Sequence, residues 1–337
     1  MKKIMITLAL LFTGFTLASC QGDKDYPDIV TSMYTHYDLA SQIVGDKLTV
    51  DLLVPLGMDI HTFEASSKEM VNIYESKLFI YTSPEIDQWL KNIDEIEKRD
   101  TIVLDMSKSY ILEEHHHLQT DHYQLLSSPV LLHDDDHDDD DHDDHDDHHD
   151  DLHYWVDPTT IMQMIDYILE HIIIIDPENA IFYEENANNY KTEIYNLHLE
   201  IDQLLSHEPY KDSTLYFAGH NAMGAFASRY HIHIESLFSE FKPDDDLTSN
   251  EIINFSNLVI SAQTHYLFTE ALIEPRAAIA IKESLESKEN YSLTLLELHT
   301  YHNVNQSDWE ANVTYKELLE RNFNNIKLAL GIIESND

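Results

Sequence analysis

The sequence predicts an α/β protein of two lobes joined by a long helix, and three observations carry that reading. Short runs rich in β-branched and aromatic residues alternate with helical stretches in both halves of the chain, the mark of βαβ units and a parallel sheet. Between the halves, the text from Glu178 to Ser206 runs without Gly or Pro, long enough to reach from one lobe to another. With 337 residues, the chain has ample length for two cores.

In order, "DIVTSMY" reads as a strand, "YDLASQIVG" as a helix and "KLTVDLLVP" as a strand. "SSKEMVNIYESK" follows as a helix, "LFIYT" as a strand, "EIDQWLKNIDEIEK" as a helix and "TIVLD" as a strand. The pattern then breaks from about Met106 to Asp157, a gap well beyond an ordinary loop. Helical text resumes at Pro158, and Asp176-Pro177 divides it, with Pro177 well placed to open a new helix. In the second half "TLYFA", "HIHIESL", "HYLFT" and "YSLTLLEL" read as strands, each followed by helical text. The resulting division is 1–20 leader, 21–27 polar tether, 28–175 first lobe, 176–207 linking helix and 208–337 second lobe.

The leader "MKKIMITLALLFTGFTLASC" places Lys2 and Lys3 before an apolar stretch of about 13 residues, a signal-peptide core too short to span a bilayer. It ends in Leu-Ala-Ser-Cys, which resembles the lipobox of bacterial lipoproteins. Cys20 is the only cysteine, so it has no internal disulfide partner and is the expected lipidation site. A diacyl anchor there would hold the chain on the outer face of a bacterial cell membrane.

A net charge of −43 repels phosphate backbones and attracts cations, which sets nucleic-acid binding aside. Part of it comes from the gap. "HDDDHDDDDHDDHDDHHDD" (133–151) ends an insertion spanning 112–151 that also holds "EEHHH". The 133–151 run contains nothing apolar to bury and only residue types that bind divalent ions. His115, His116, His117, His133, His137, His142, His145, His148 and His149 are expected to form weak, exchangeable metal sites.

The remaining histidines divide by context. His171, His198, His265, His231 and His233 lie in helical or strand text and are read as surface or satisfied core residues. Three others sit at or just after predicted strand ends, or at the ordered edge of the insertion: His61 in "LLVPLGMDIHTFEAS", His153 in "LHYWVDP" and His220 in "YFAGHNAMGAFASRY". Ligands of α/β proteins bind near the carboxyl ends of strands. Glu297 closes a late strand in "TLLELHTY", and imidazoles with one carboxylate suit zinc.

Together these segments resemble the metal-binding receptors of bacterial ABC importers for zinc and manganese, the zinc-uptake lipoproteins in particular. The likeness runs through nearly the whole mature chain. It implies two (β/α)4-type lobes joined by a rigid helix, with Zn(II) held in the interlobe cleft by His61, His153, His220 and Glu297. It also implies a His- and Asp-rich loop before the second histidine, an importer permease as partner, and a monomeric receptor rather than an enzyme. Glu297 stands where the family has Asp, and no Pro follows it. Glu270 in "LFTEALIEP" is the alternative carboxylate, His299 and His302 crowd Glu297, and His36 is read as incidental. Rival readings are a manganese receptor, a surface adhesin, and a zinc hydrolase, which lacks an H-E-x-x-H helix.

Overall fold

The computed structural model describes residues 26–109, 152–239, 248–289 and 291–333. The leader with Cys20 and the insertion with its ten histidines, the nine expected weak ligands among them, lie outside the described residues.

Two four-stranded sheets form the frame. The first has the order β2-β1-β3-β4, with β1 Ile29–Thr31, β2 Val50–Leu52, β3 Leu78–Tyr81 and β4 Ile102–Asp105. The second repeats that order as β6-β5-β7-β8, from β5 Thr214–His220, β6 His233–Phe238, β7 Tyr266–Glu270 and β8 Thr294–Leu298. Every pairing is parallel. Parallel sheets are covered on both faces, and β1 and β3 accordingly bury every residue. In each sheet the chain winds outward in both directions from the central pair, which leaves a crevice at the carboxyl ends of that pair.

The helices are α1 Tyr34–Val44, α2 Ser67–Glu75, α3 Ile93–Glu97, α4 Pro158–Ile175, α5 Ala180–Leu205, α6 Gly224–Arg229, α7 Ser249–Ser261, α8 Arg276–Glu289, α9 Gln306–Glu310 and α10 Tyr315–Ala329. Capping boxes start α2 (Ser66 with Glu69), α7 (Thr248 with Glu251) and α10 (Thr314 with Glu317). Asp157 caps α4 by accepting from Thr159 N, with Pro158 in the first turn.

The 26-residue α5 joins the lobes over about 39 Å. It buries Tyr183, Ala187, Tyr190, Ile194, Leu197, Ile201 and Leu205, a stripe with the three-and-four spacing of one helix face. Asp38 of α1 is buried where this helix crosses the lobes. It accepts from Tyr190 Oη at 2.5 Å and from the backbone N–H of Tyr315 at 2.9 Å, so one carboxylate ties α1, α5 and α10 together. No helix among the described residues is long and apolar enough to cross a membrane.

One expected helix forms only within its second half. Of "EIDQWLKNIDEIEK", residues Ile93–Glu97 are helical, and the first half is turns. There Asp87 folds back, 5% exposed, to accept from the backbone N–H of Thr82 at 2.7 Å and from Ser32 Oγ at 3.3 Å. A carboxylate that captures a nearby main-chain donor competes with the helix it was expected to join.

Candidate metal centre

His61, His153 and His220 come from three separate segments. His61 sits on a single 3-10 turn, Ile60–Thr62, in the loop after β2. Asp59 starts this turn, its Oδ1 accepting from His61 N at 2.7 Å. His153 stands immediately before the turn Tyr154–Val156 that leads into α4. His220 is the last residue of β5, at the carboxyl end of the second sheet's central pair.

Their Nε2 atoms converge. His153 Nε2 lies 3.5 Å from His61 Nε2 and 3.3 Å from His220 Nε2. Tetrahedral zinc with Zn–N of about 2.0–2.1 Å places its nitrogen ligands roughly 3.3–3.4 Å apart. Two of the three separations therefore already match one shared ion. Among the described residues these rings form the one group of metal-ligating side chains gathered this closely, all ligand atoms lying within 4.8 Å of one another.

Glu270, on β7 beside β5, contacts the other side of the His220 ring, with Oε2 2.8 Å from Nδ1. A proton on Nδ1 donated to that carboxylate leaves the Nε2 lone pair free for a cation, which is the usual way an outer carboxylate orients a metal-binding imidazole. Burial pulls the proton affinity of His61 down to about 4; Asp59 opposes the shift, while His153 and His220 reinforce it. The ring is thus a neutral donor near pH 7. Two carboxylate oxygens around the triad, Asp59 Oδ2 and Glu270 Oε1, are buried without a hydrogen-bond partner. Two carboxylates beside three imidazoles suit a divalent cation.

An ion pair binds two of the ligand segments across the lobes. Arg229, at the end of α6, directs Nε (2.9 Å) and Nη2 (2.8 Å) at Oδ2 of Asp157, four residues past His153.

The expected fourth ligand, Glu297, is elsewhere. Its neighbour Leu298 is fully buried, so strand alternation turns Glu297 to the exposed face of β8. Strand β8 is also two places from β5, a separation of roughly 10 Å at ordinary strand spacing. Of the two glutamates, Glu270 is the one that reaches the triad, through His220. His299 is likewise set apart: its Nδ1 accepts from the backbone N–H of Tyr301 at 2.9 Å. His302 lies closer, with Nε2 4.0 Å from Asp59 Oδ2 and Nδ1 2.6 Å from Thr300 Oγ1. His36 is fully buried, and neither ring nitrogen has a partner. His171, His198 and His265 bond respectively to Tyr167 O, Tyr230 Oη and Ser292 O, as satisfied structural histidines do. The sequence offered Glu270 only as the alternative metal-ligating carboxylate; its role as the partner of His220 carries no sequence signal, because it follows from the strand order that sets β7 beside β5.

Known proteins resemble the chain over most of its length. The high-affinity zinc uptake system protein ZnuA of Bacillus subtilis is 22% identical over 319 residues, covering 93% of this chain and 90% of that protein. The zinc-binding lipoprotein AdcA of Streptococcus pneumoniae is 22% identical over 339 residues, and the match takes in 97% of this chain but only 61% of that longer protein. The Zn(II)-bound ZnuA-like domain of the same AdcA superposes with a TM-score of 0.68 at 19% identity, covering 90% of this chain and 98% of the domain, which establishes the two-lobed fold. Residues 29–329 match the model of the zinc-uptake complex component A family, and the chain belongs to that ZnuA family of metal-binding receptors.

Proposed function

We propose that the protein is an extracytoplasmic receptor that takes up Zn(II) between its lobes and delivers it to the permease of an ABC importer. The convergence of the His61, His153 and His220 Nε2 atoms, at spacings suited to one tetrahedral ion, carries the reading. Zinc is the cargo. Manganese matches less well because it prefers more oxygen ligands and higher coordination. Activity as a hydrolase gains no support from membership in a family of uptake receptors. Lipidation at Cys20 would hold the monomeric receptor at the membrane, within reach of the permease. The histidines of the 112–151 insertion would serve as a weak antenna that raises the local zinc concentration beside His153.

Zinc titration of the mature chain, alongside a variant lacking residues 133–151, tests this division. One tight equivalent is expected in both proteins, with several weak equivalents in the full chain alone. Preferential manganese loading from an equimolar mixture would overturn the choice of ion, and loss of the tight site on deletion would overturn the antenna.

A further inference from the structure

The six residues after β8, "HTYHNV" (299–304), belong to the second lobe by sequence but are bonded largely to the first. Five of their six carbonyls have identified donors. Asn322 Nδ2 donates to His299 O at 2.8 Å, Trp155 Nε1 to Thr300 O at 2.9 Å and Thr35 Oγ1 to Tyr301 O at 2.7 Å. Backbone N–H groups of Tyr34 and Gly57 donate to His302 O at 3.0 Å and Val304 O at 2.9 Å. The last four of these donors lie in the first lobe. Buried main-chain groups require partners, so such interlobe bonds hold the segment in one place. Tyr301 adopts φ 62, a left-handed conformation unfavourable for a non-glycine residue, and Asn322 fixes it by donating to Tyr301 Oη at 2.6 Å.

Asn303 is fully buried. Its Nδ2 donates to both Pro55 O and Met58 O at 2.7 Å, and its Oδ1 accepts from Val304 N at 2.8 Å. Those two carbonyls bracket the turn, closed by Met58 N to Pro55 O at 3.0 Å, that delivers the chain to Asp59 and His61. Gly57 within it has φ +72, where a side chain would be strained. Trp155, which binds Thr300 O, also packs its ring 5.2 Å from that of His153. The segment therefore touches the supports of both first-lobe ligands.

We infer that residues 299–304 form a strap through which the second lobe sets the position of the first lobe's metal ligands, with Asn303 as the positioning residue for His61. The inference rests on the zinc-site reading above. A primary amide suits the task because it offers two N–H groups to two carbonyls at once, whereas a carboxylate of equal size has no hydrogen to donate and would repel both.

A double-mutant cycle on the full chain tests the strap, using Asn303→Asp, His61→Ala and the combination, with tight-site zinc affinity measured by chelator competition. Asn303→Asp is expected to weaken zinc roughly 10- to 100-fold, the usual cost of removing an outer support. In the His61→Ala background it should cost almost nothing further, because its effect passes through that ligand. Asn303→Ser, which keeps one donor, should lie between the two and serves the same cycle if the aspartate variant does not fold. Unchanged affinity in the Asn303 variants while His61→Ala binds weakly overturns the strap alone. So does an equal loss in both backgrounds, which would mark a general structural role. Wild-type affinity in His61→Ala overturns the metal-site reading and the strap with it.

Discussion

The two lobes hold their imidazoles by different means. His220 ends a central strand, is 3% exposed, and has its ring fixed by Glu270 on the adjacent strand of the same sheet. His61 rides on a short turn in a loop, half-buried, and the loop is pinned from the opposite lobe by Asn303. One ligand is oriented within its own sheet; the other depends on a contact that exists only when both lobes are in place. Orientation of a metal-binding side chain can thus come from sheet architecture or from tertiary docking, and the two should fail differently when perturbed.

The largest expected effect is removal of an imidazole. In a background lacking residues 112–151, which excludes weak loop sites from the measurement, His220→Ala should lower tight zinc affinity by on the order of 100- to 1000-fold. His61→Ala should lower it comparably, since an ion does not distinguish how its ligand was supported. Retention of full affinity by either variant would remove that residue from the site.

Next comes the support of His220. Glu270→Ala removes the acceptor at Nδ1 and should weaken zinc by roughly 10- to 100-fold. Glu270→Gln keeps an acceptor oxygen but loses the charge, and should fall between Glu270→Ala and wild type. Chelator competition on the pair separates orientation from charge balance. If the amide is as damaging as alanine, charge dominates; if neither variant matters, His220 is held by its strand alone.

The smallest effect concerns folding rather than binding. Each lobe contains a buried histidine outside the triad, His36 in the first and His299 in the second, and burial pulls each down to about 3 from an ordinary 6.5. The unfolded chain then takes up the proton first as pH drops below about 6.5. Stability is complete above that value and is lost progressively toward pH 3, at about 2 kcal/mol per histidine by pH 5. Asp38 and Asp87, which burial raises to about 6, shift the other way: the folded state protonates first, and part of the loss is recovered below that pH. The clean measurement is therefore a difference. His36→Met should reduce the fall in denaturant-derived stability between pH 7 and pH 5 by about 2 kcal/mol relative to wild type. An identical acid dependence in the variant would show that His36 does not remain neutral in the fold.

Much of this molecule was legible in the amino-acid order because the relevant physics is local. Strands such as "LFIYT" and "TIVLD", the Asp-Pro start of α4 and the stripe along α5 follow from side-chain periodicity and capping, which act over a few residues. His61, His153 and His220 stood out by their place at strand ends or at the border of the insertion. The carboxylate did not, because proximity in a sheet depends on strand order. Glu297 and Glu270 each sit at or next to the end of a strand in the second lobe, yet only Glu270 lies on the strand that adjoins β5. Sequence order, in which β8 follows β7, says nothing about which of them neighbours His220.

Composition and short-range pattern alone determined the α/β class, the linking helix, the acidic excess and the three histidines as a group. Tertiary structure alone decided that Glu270 faces His220, that Asp87 breaks a helix, and that "HTYHNV" works for the opposite lobe. The bond from Asn303 to Pro55 joins residues 248 positions apart. Such a pairing leaves no periodic trace in either segment, since a hydrogen bond depends on distance and angle in space, and those are set only once the core between the partners has packed.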